Sequence, residues 1–329
     1  LGEQLAHWDV LQSGDEAVSH FYRAAPGGRR TIRAYGQEMR WQEMVLDREA
    51  GCIRSVEHAY STEGGLAVLR GNIAPDDYVE RTHPRLHAVE ETISWTKALA
   101  RTSEAAMSEG VPVFLGGDHA LSLGTVLGAM RYSEAHKRPL FVLWLDAHSD
   151  FHTPETTDSG NLHGTPLGYV TGRGGFDGFP DINAPIPEEN IAIIGLRSVD
   201  EAERAALQST AITRVDMRDI DENGIARPLG AFLDKVAAAG GLLHVSLDVD
   251  FLDPSVAPAV GTTVPGGATV REAHLVMEML HDSGLMTSMD LVELNPFLDE
   301  RGRTAQVMVE LAASAFGRRV FDRPTRAYA

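Results

Sequence analysis

Apolar runs and helical patterns alternate along most of the chain. Pro139-Leu-Phe-Val-Leu-Trp-Leu145 is short and carries no polar alternation, which is the pattern of a parallel strand covered on both faces. Ile191-Ala-Ile-Ile-Gly-Leu and Met286–Leu294 read as further buried strands, and Val113-Phe-Leu, Ile212–Asp216 and Leu242–Leu247 also read as strands. Between them lie stretches with helical spacing. In 84–109, Leu86, Val89, Ile93, Thr96 and Ala100 recur every three or four residues, Gly110 is a stop signal, and His83 and His87 fall on the solvent side. Further helices are expected over 121–131, 161–170, from Val199, and over 225–239, 269–283 and 304–316. Strand–helix alternation predicts a three-layer α/β/α fold with a mainly parallel central sheet. It places a site at the strands' C-terminal ends.

Charge gathers at those ends. Asp146, His148 and Asp150 follow the first run at i, i+2 and i+4, so extended backbone would point all three to one side, roughly 6–7 Å apart. Asp248 and Asp250 follow Leu242–Leu247 in the same way, and a Gly-Gly turn presents His119 after Val113-Phe-Leu. Buried together and unpaired, such groups would be costly, and a metal ion removes the cost. Four carboxylates balance two divalent cations. With no thiolate among the six, an octahedral ion such as Mn²⁺ is favoured over structural Zn²⁺.

Composition changes the picture in three ways. The net charge of −18 over 329 residues argues against nucleic acid as a partner and suits a cationic substrate. Cys52 is the single cysteine, so no internal disulfide forms, which fits a reducing cytoplasm. No apolar run reaches membrane-spanning length and no signal peptide is visible. The start at Leu1 leaves an N-terminally incomplete chain open.

Gly116–His119, Asp146–Asp150, Ser159–Gly164, Ser246–Pro254 and Glu293–Pro296 occur in the order of the ureohydrolase motifs and resemble them closely. Within that family the chain is most similar to the arginases, from about Tyr78 to Ala329. The resemblance implies two Mn²⁺ ions, one held by His119 and Asp150, the other by His148 and Asp250, with Asp146 and Asp248 bridging. It implies attack of the hydroxide they share on a guanidinium carbon, with L-arginine and water giving L-ornithine and urea. Asp150 would take the hydroxide proton, His163 would shuttle protons and Glu293 would pair with the guanidinium. Ser159, Asn161, Asp200 and Glu203 would hold the amino-acid end, with Thr262 at the mouth; without the resemblance, Asp200 and Glu203 read as ordinary acids at a helix start. One position departs: His152 stands where the family's Asp-x-Asn-Thr-Pro has asparagine. The resemblance also implies a cytoplasmic homo-oligomer, a trimer or hexamer. Agmatine or a guanidino acid is the alternative substrate, and an inactive fusion product is the alternative of another class.

Residues 1–77 do not read as the start of a ureohydrolase. Leu1–Val10, Phe21–Gly28 and Gly64–Asp76 resemble a fragment of the sugar-acid and dihydroxy-acid dehydratases. One cysteine cannot hold the iron–sulfur cluster of that family, so no dehydratase activity is expected. The chain is read as an atypical segment, 1–77, from a fused or mis-joined coding sequence, followed by a catalytic domain, 78–329. The family's first strands are then missing or replaced, which would leave Val113-Phe-Leu at an open edge. Leu66–Leu69 is the strand candidate that would either dock there or stay poorly ordered.

Overall fold

A computed structural model describes residues 73–318 in full, with the backbone of short strands between residues 31 and 69. The chain forms two compact units, Leu1–Ala74 and Pro75–Ala329. In the first, β1 (Thr31–Ala34), β2 (Gln37–Trp41), β5 (His58–Thr62) and β6 (Gly65–Leu69) form an antiparallel sheet in the order β1-β2-β5-β6. β3 (Val45–Asp47) and β4 (Cys52–Ser55) pair separately. The expected strand at Leu66–Leu69 lies in β6, where Ala67 faces Tyr60 of β5. Its docking on Val113–Leu115 lies outside the described residues.

The second unit is built on a six-stranded parallel sheet: β7 (Val113–Leu115), β8 (Leu140–Leu145), β9 (Ile191–Leu196), β10 (Thr213–Asp216), β11 (Leu242–Asp248) and β12 (Met286–Val292). Their order is β10-β9-β8-β11-β12-β7. β8 is buried along its whole length, as an unbroken apolar run requires, and β11 is equally buried although it carries His244, Ser246 and Asp248. Alternate residues of β8 feed two cores. Phe141, Leu143 and Leu145 pack with Leu243, Val245 and Leu247 against α6 (Ala226–Ala238), α7 (Val270–Ser283) and α8 (Arg303–Ala315). Leu140, Val142 and Trp144 pack on the other face against α1 (Val89–Met107) and α2 (Ser122–His136). α3 (Pro166–Val170), α4 (Glu201–Gln208) and α5 (Met217–Asn223) complete the layers. The fold is the expected α/β/α arrangement. No helix among the described residues is long and apolar enough to cross a membrane.

Two glycines permit close approach. A side chain on Gly128 would meet the Ala100 carbonyl oxygen and Ser103 Cβ at 2.5 Å, so α2 lies directly against α1. Gly195 of β9 sits at φ +109°, where an added Cβ would lie 2.9 Å from the Asp146 carbonyl oxygen.

Three local expectations need correction. Helix α1 begins at Val89, not Pro84, because Ala88 is left-handed at φ 48°. His83 forms the preceding turn, its Nδ1 accepting from the backbone N–H of Arg85 and Leu86 at 3.1 and 2.9 Å. The helix expected over 161–170 is split into a 3-10 turn, Leu162–Gly164, and α3, because Thr165 leaves helical geometry at φ −121°. α5 was not expected at all; Asp216 and Asp219 close a capping box at its start.

Candidate metal centre and substrate pocket

β7, β12, β11 and β8 are neighbours, and their C-terminal ends meet over one patch. Beyond them the chain presents His119, Glu293, Asp248 with Asp250, and Asp146 with His148 and Asp150. His119 Nδ1 lies 3.2 Å from Asp146 Oδ2, 3.1 Å from Asp150 Oδ2 and 3.1 Å from Asp248 Oδ2. His148 Nδ1 lies 3.4 Å from Asp146 Oδ1 and 2.9 Å from Asp250 Oδ2. The six expected metal ligands thus form two clusters joined through Asp146.

Hydrogen bonding alone does not account for this. One imidazole nitrogen carries at most one proton, yet three carboxylates converge on His119 Nδ1. Asp250 Oδ2 is buried and accepts no hydrogen bond, although His148 stands beside it. An octahedral ion bonded at about 2.1 Å sets neighbouring ligand atoms about 3 Å apart, which is the spacing of these groups. The donor set therefore fits two hard or borderline divalent cations.

The surrounding residues aim the ligands. His119 Nε2 is 2.8 Å from Ser246 Oγ, and its ring stacks on Trp144 at 4.2 Å and 2°. With Nε2–H donating to the serine, the Nδ1 lone pair is left for a cation. Trp144 Nε1 donates to Asp146 Oδ2 at 3.0 Å, and the His148 N–H donates to Asp146 Oδ1 at 2.6 Å. Asp248 accepts from the Asp250 N–H, and Asp250 from that of Ala147. Asp150 and Glu293 hold left-handed backbone at φ 46° and 66°, a cost usually met only where a site requires it. The Arg197 guanidinium donates to the carbonyls of Asp250, Leu252 and Val264, tying the β11 ligands to the loop that carries Thr262. Thr262 itself is exposed.

Without cations the cluster traps protons. Burial, reinforced by the Asp146 charge, raises the Asp150 carboxyl to about 7. Burial works against a charged His148, but the adjacent Asp146 and Asp250 carboxylates outweigh it and push the imidazole up to about 11. Burial also raises Asp248 and Asp250, with neighbouring carboxylates adding to it. Asp146 is held well below its usual range, because His119 and His148 overcome its burial.

The remaining expected residues fall into separate groups. Glu293 Oε1 accepts the His119 N–H at 2.7 Å and stands 3.8 Å from His163 Nδ1. Asp118 Oδ2 is 3.6 Å from the same nitrogen and is the largest influence raising the His163 pKa. On the other side His152, Asp200 and Glu203 gather, with His152 Nε2 2.7 Å from Asp200 Oδ2. Glu203 is buried, and its Oε1 accepts from Ser149 Oγ at 2.5 Å and the Phe151 N–H at 3.1 Å. Ser159 Oγ accepts from the Asn161 N–H at 3.2 Å, and Ser159 is exposed.

The sequence reading missed Ser246, Trp144, Asp118, Thr156 and Arg197. A signal existed for the first. His244, Ser246 and Asp248 alternate with Leu243, Val245 and Leu247, so one face of β11 is polar although the strand is buried.

The sequence model of the arginase family matches residues 24–317, reaching into the segment that the sequence reading set apart. An arginase of Brucella melitensis biotype 1 is 60% identical over 261 residues, covering 78% of this chain and 85% of that protein. One from Agrobacterium fabrum is 56% identical over 271 residues, covering 81% and 84%. The crystal structure of a Bacillus subtilis arginase superposes with a TM-score of 0.70 at 37% identity, over 76% of this chain and 85% of that one. That of an Entamoeba histolytica arginase in complex with L-ornithine gives 0.67 at 27% identity, over 75% and 83%. Fold, motif order and relatives agree: the chain belongs to the arginase family and is a ureohydrolase.

Proposed function

We propose that the protein hydrolyses L-arginine to L-ornithine and urea with two Mn²⁺ ions held by His119, Asp146, His148, Asp150, Asp248 and Asp250. The observation that carries this reading is the convergence of three carboxylates on His119 Nδ1, an arrangement a proton cannot satisfy and a cation can. The names of the relatives supply the substrate. When bound, such ions lower the pKa of water toward neutrality and so make a nucleophile available.

The chain's own groups do the rest. Glu293 has one oxygen occupied by the His119 N–H and a second free for a guanidinium, which fixes the substrate's planar end. Asp150 stands among the ligands as the acceptor for the nucleophile's proton. His163, partly exposed and flanked by Asp118 and Glu293, carries a proton between solvent and the departing amine. Ser159 and Asn161 face the substrate's carboxylate, and Asp200 and Glu203 its ammonium. Thr262 borders the mouth. We place the enzyme in the cytoplasm as a homo-oligomer, a trimer or hexamer, with no nucleic-acid or membrane partner.

Metal analysis and urea release on purified protein test the proposal. Chelation should abolish urea release from L-arginine, and Mn²⁺ should restore it. Turnover faster with agmatine or a guanidino acid than with arginine would overturn the substrate, and undiminished activity in metal-free protein would overturn the mechanism.

A further inference from the structure

His152, the residue that departs from the family pattern, is held from three directions. Its backbone N–H donates to the Gly164 carbonyl at 3.0 Å. Its Nε2 lies 2.7 Å from Asp200 Oδ2, and its Nδ1 lies 3.1 Å from Thr156 Oγ1. An ionised carboxylate only accepts, so Nε2 carries the proton. Nδ1 then accepts, and the Thr156 hydroxyl donates to it. That hydroxyl is itself oriented by the Thr153 N–H, which donates to Thr156 Oγ1 at 2.9 Å. A series of polar contacts thus runs from Thr153 through Thr156 and His152 to Asp200.

Its end point is exposed. The His152 side chain is 12% accessible, whereas that of Asp200 is 46% accessible. The inner oxygen positions of Asp200 are taken, Oδ1 by the Glu203 N–H at 2.9 Å and Oδ2 by the imidazole. The outer lone pairs are open to solvent. Glu203 Oε2 lies 3.8 Å from the same imidazole nitrogen, so a second carboxylate borders the place.

We infer that His152 is a positioning residue that, locked by Thr156, fixes Asp200 to receive the α-ammonium of an amino-acid substrate. This rests on the proposed arginine reading. Histidine at this position is then part of the recognition of the substrate's amino-acid end.

The test uses the full, Mn²⁺-loaded protein and two compounds, L-arginine and its desamino analogue 5-guanidinopentanoate. His152→Ala should raise KM for arginine about tenfold while kcat falls less than about threefold, the loss of one close polar contact to a charged group. Thr156→Val, which frees the ring with little change of volume, should raise KM about threefold, and Thr156→Ser should restore it. The inhibition constant of 5-guanidinopentanoate against arginine should stay within about twofold in every variant, because it offers no ammonium to Asp200. Equal weakening of both compounds would overturn the inference, as would an unchanged arginine KM. Calorimetry of L-ornithine against 5-aminopentanoate on the same variants reads the same contrast without turnover. A wild-type protein releasing no urea from arginine would therefore refute the proposed reaction while leaving the role of His152 to the binding contrast, where equal losses for both compounds would refute it too.

Discussion

Ser246 contributes one hydroxyl, and that hydroxyl decides which nitrogen of His119 faces the cluster. Ser246→Ala should leave the fold intact and weaken Mn²⁺ binding about 10- to 100-fold, measured by competition with a chelator. An unchanged affinity would mean that stacking on Trp144 alone orients the ring. A second expectation concerns pH. In metal-free protein, Asp150 at about 7 and His148 at about 11 both lie above their ordinary values. The stability they contribute is complete at low pH and is lost as pH rises through those values. Cations must displace the same protons, so their affinity rises over the same interval. The melting-temperature gap between metal-loaded and metal-free protein should therefore widen from about pH 6 to about pH 9. The ligands themselves were legible because Asp146, His148 and Asp150 keep strand spacing behind an apolar run. Asp118 and Thr156 were not, because their roles depend on partners 45 residues away and on a local turn, respectively.

Elements were readable where one physical signal dominated. β8 and β9 are uninterrupted apolar runs, and α7 opens with Thr269 and Glu272 in a capping box and closes on Gly284. α5 escaped notice because its seven residues bury only Ile220. It is a capped turn of helix rather than an amphipathic one, so periodicity says nothing about it. α2 matters most for the site, since the turn that carries His119 runs directly into it. Its seat on α1 depends on Gly128. Gly128→Ala should force the helices apart and cost about 1–3 kcal/mol, despite the better helix propensity of alanine. Urea denaturation of the metal-free protein would measure it, and a stabilised variant would show that the contact is less tight than 2.5 Å implies.

At the scale of the whole molecule, the sheet order was not legible. Apolar runs identify strands but not neighbours, and β11 and β12 are inserted between β8 and β7, which come before them in sequence. That insertion makes the ligands converge, with His119 and Asp248 in contact across 129 residues. Cations bound at a thousand times their dissociation constant should add about 4 kcal/mol of stability, seen as a fall in melting temperature on chelation. The same insertion has a kinetic consequence. The ligands cannot meet until β11 and β12 have entered the sheet, and non-local pairing of that kind is expected late in assembly. Mn²⁺ should therefore leave the refolding rate nearly unchanged and act almost wholly by slowing unfolding, as interactions absent from the transition state do. A chelated enzyme would then find its way back as fast as a loaded one, and differ from it only in how briefly it stays.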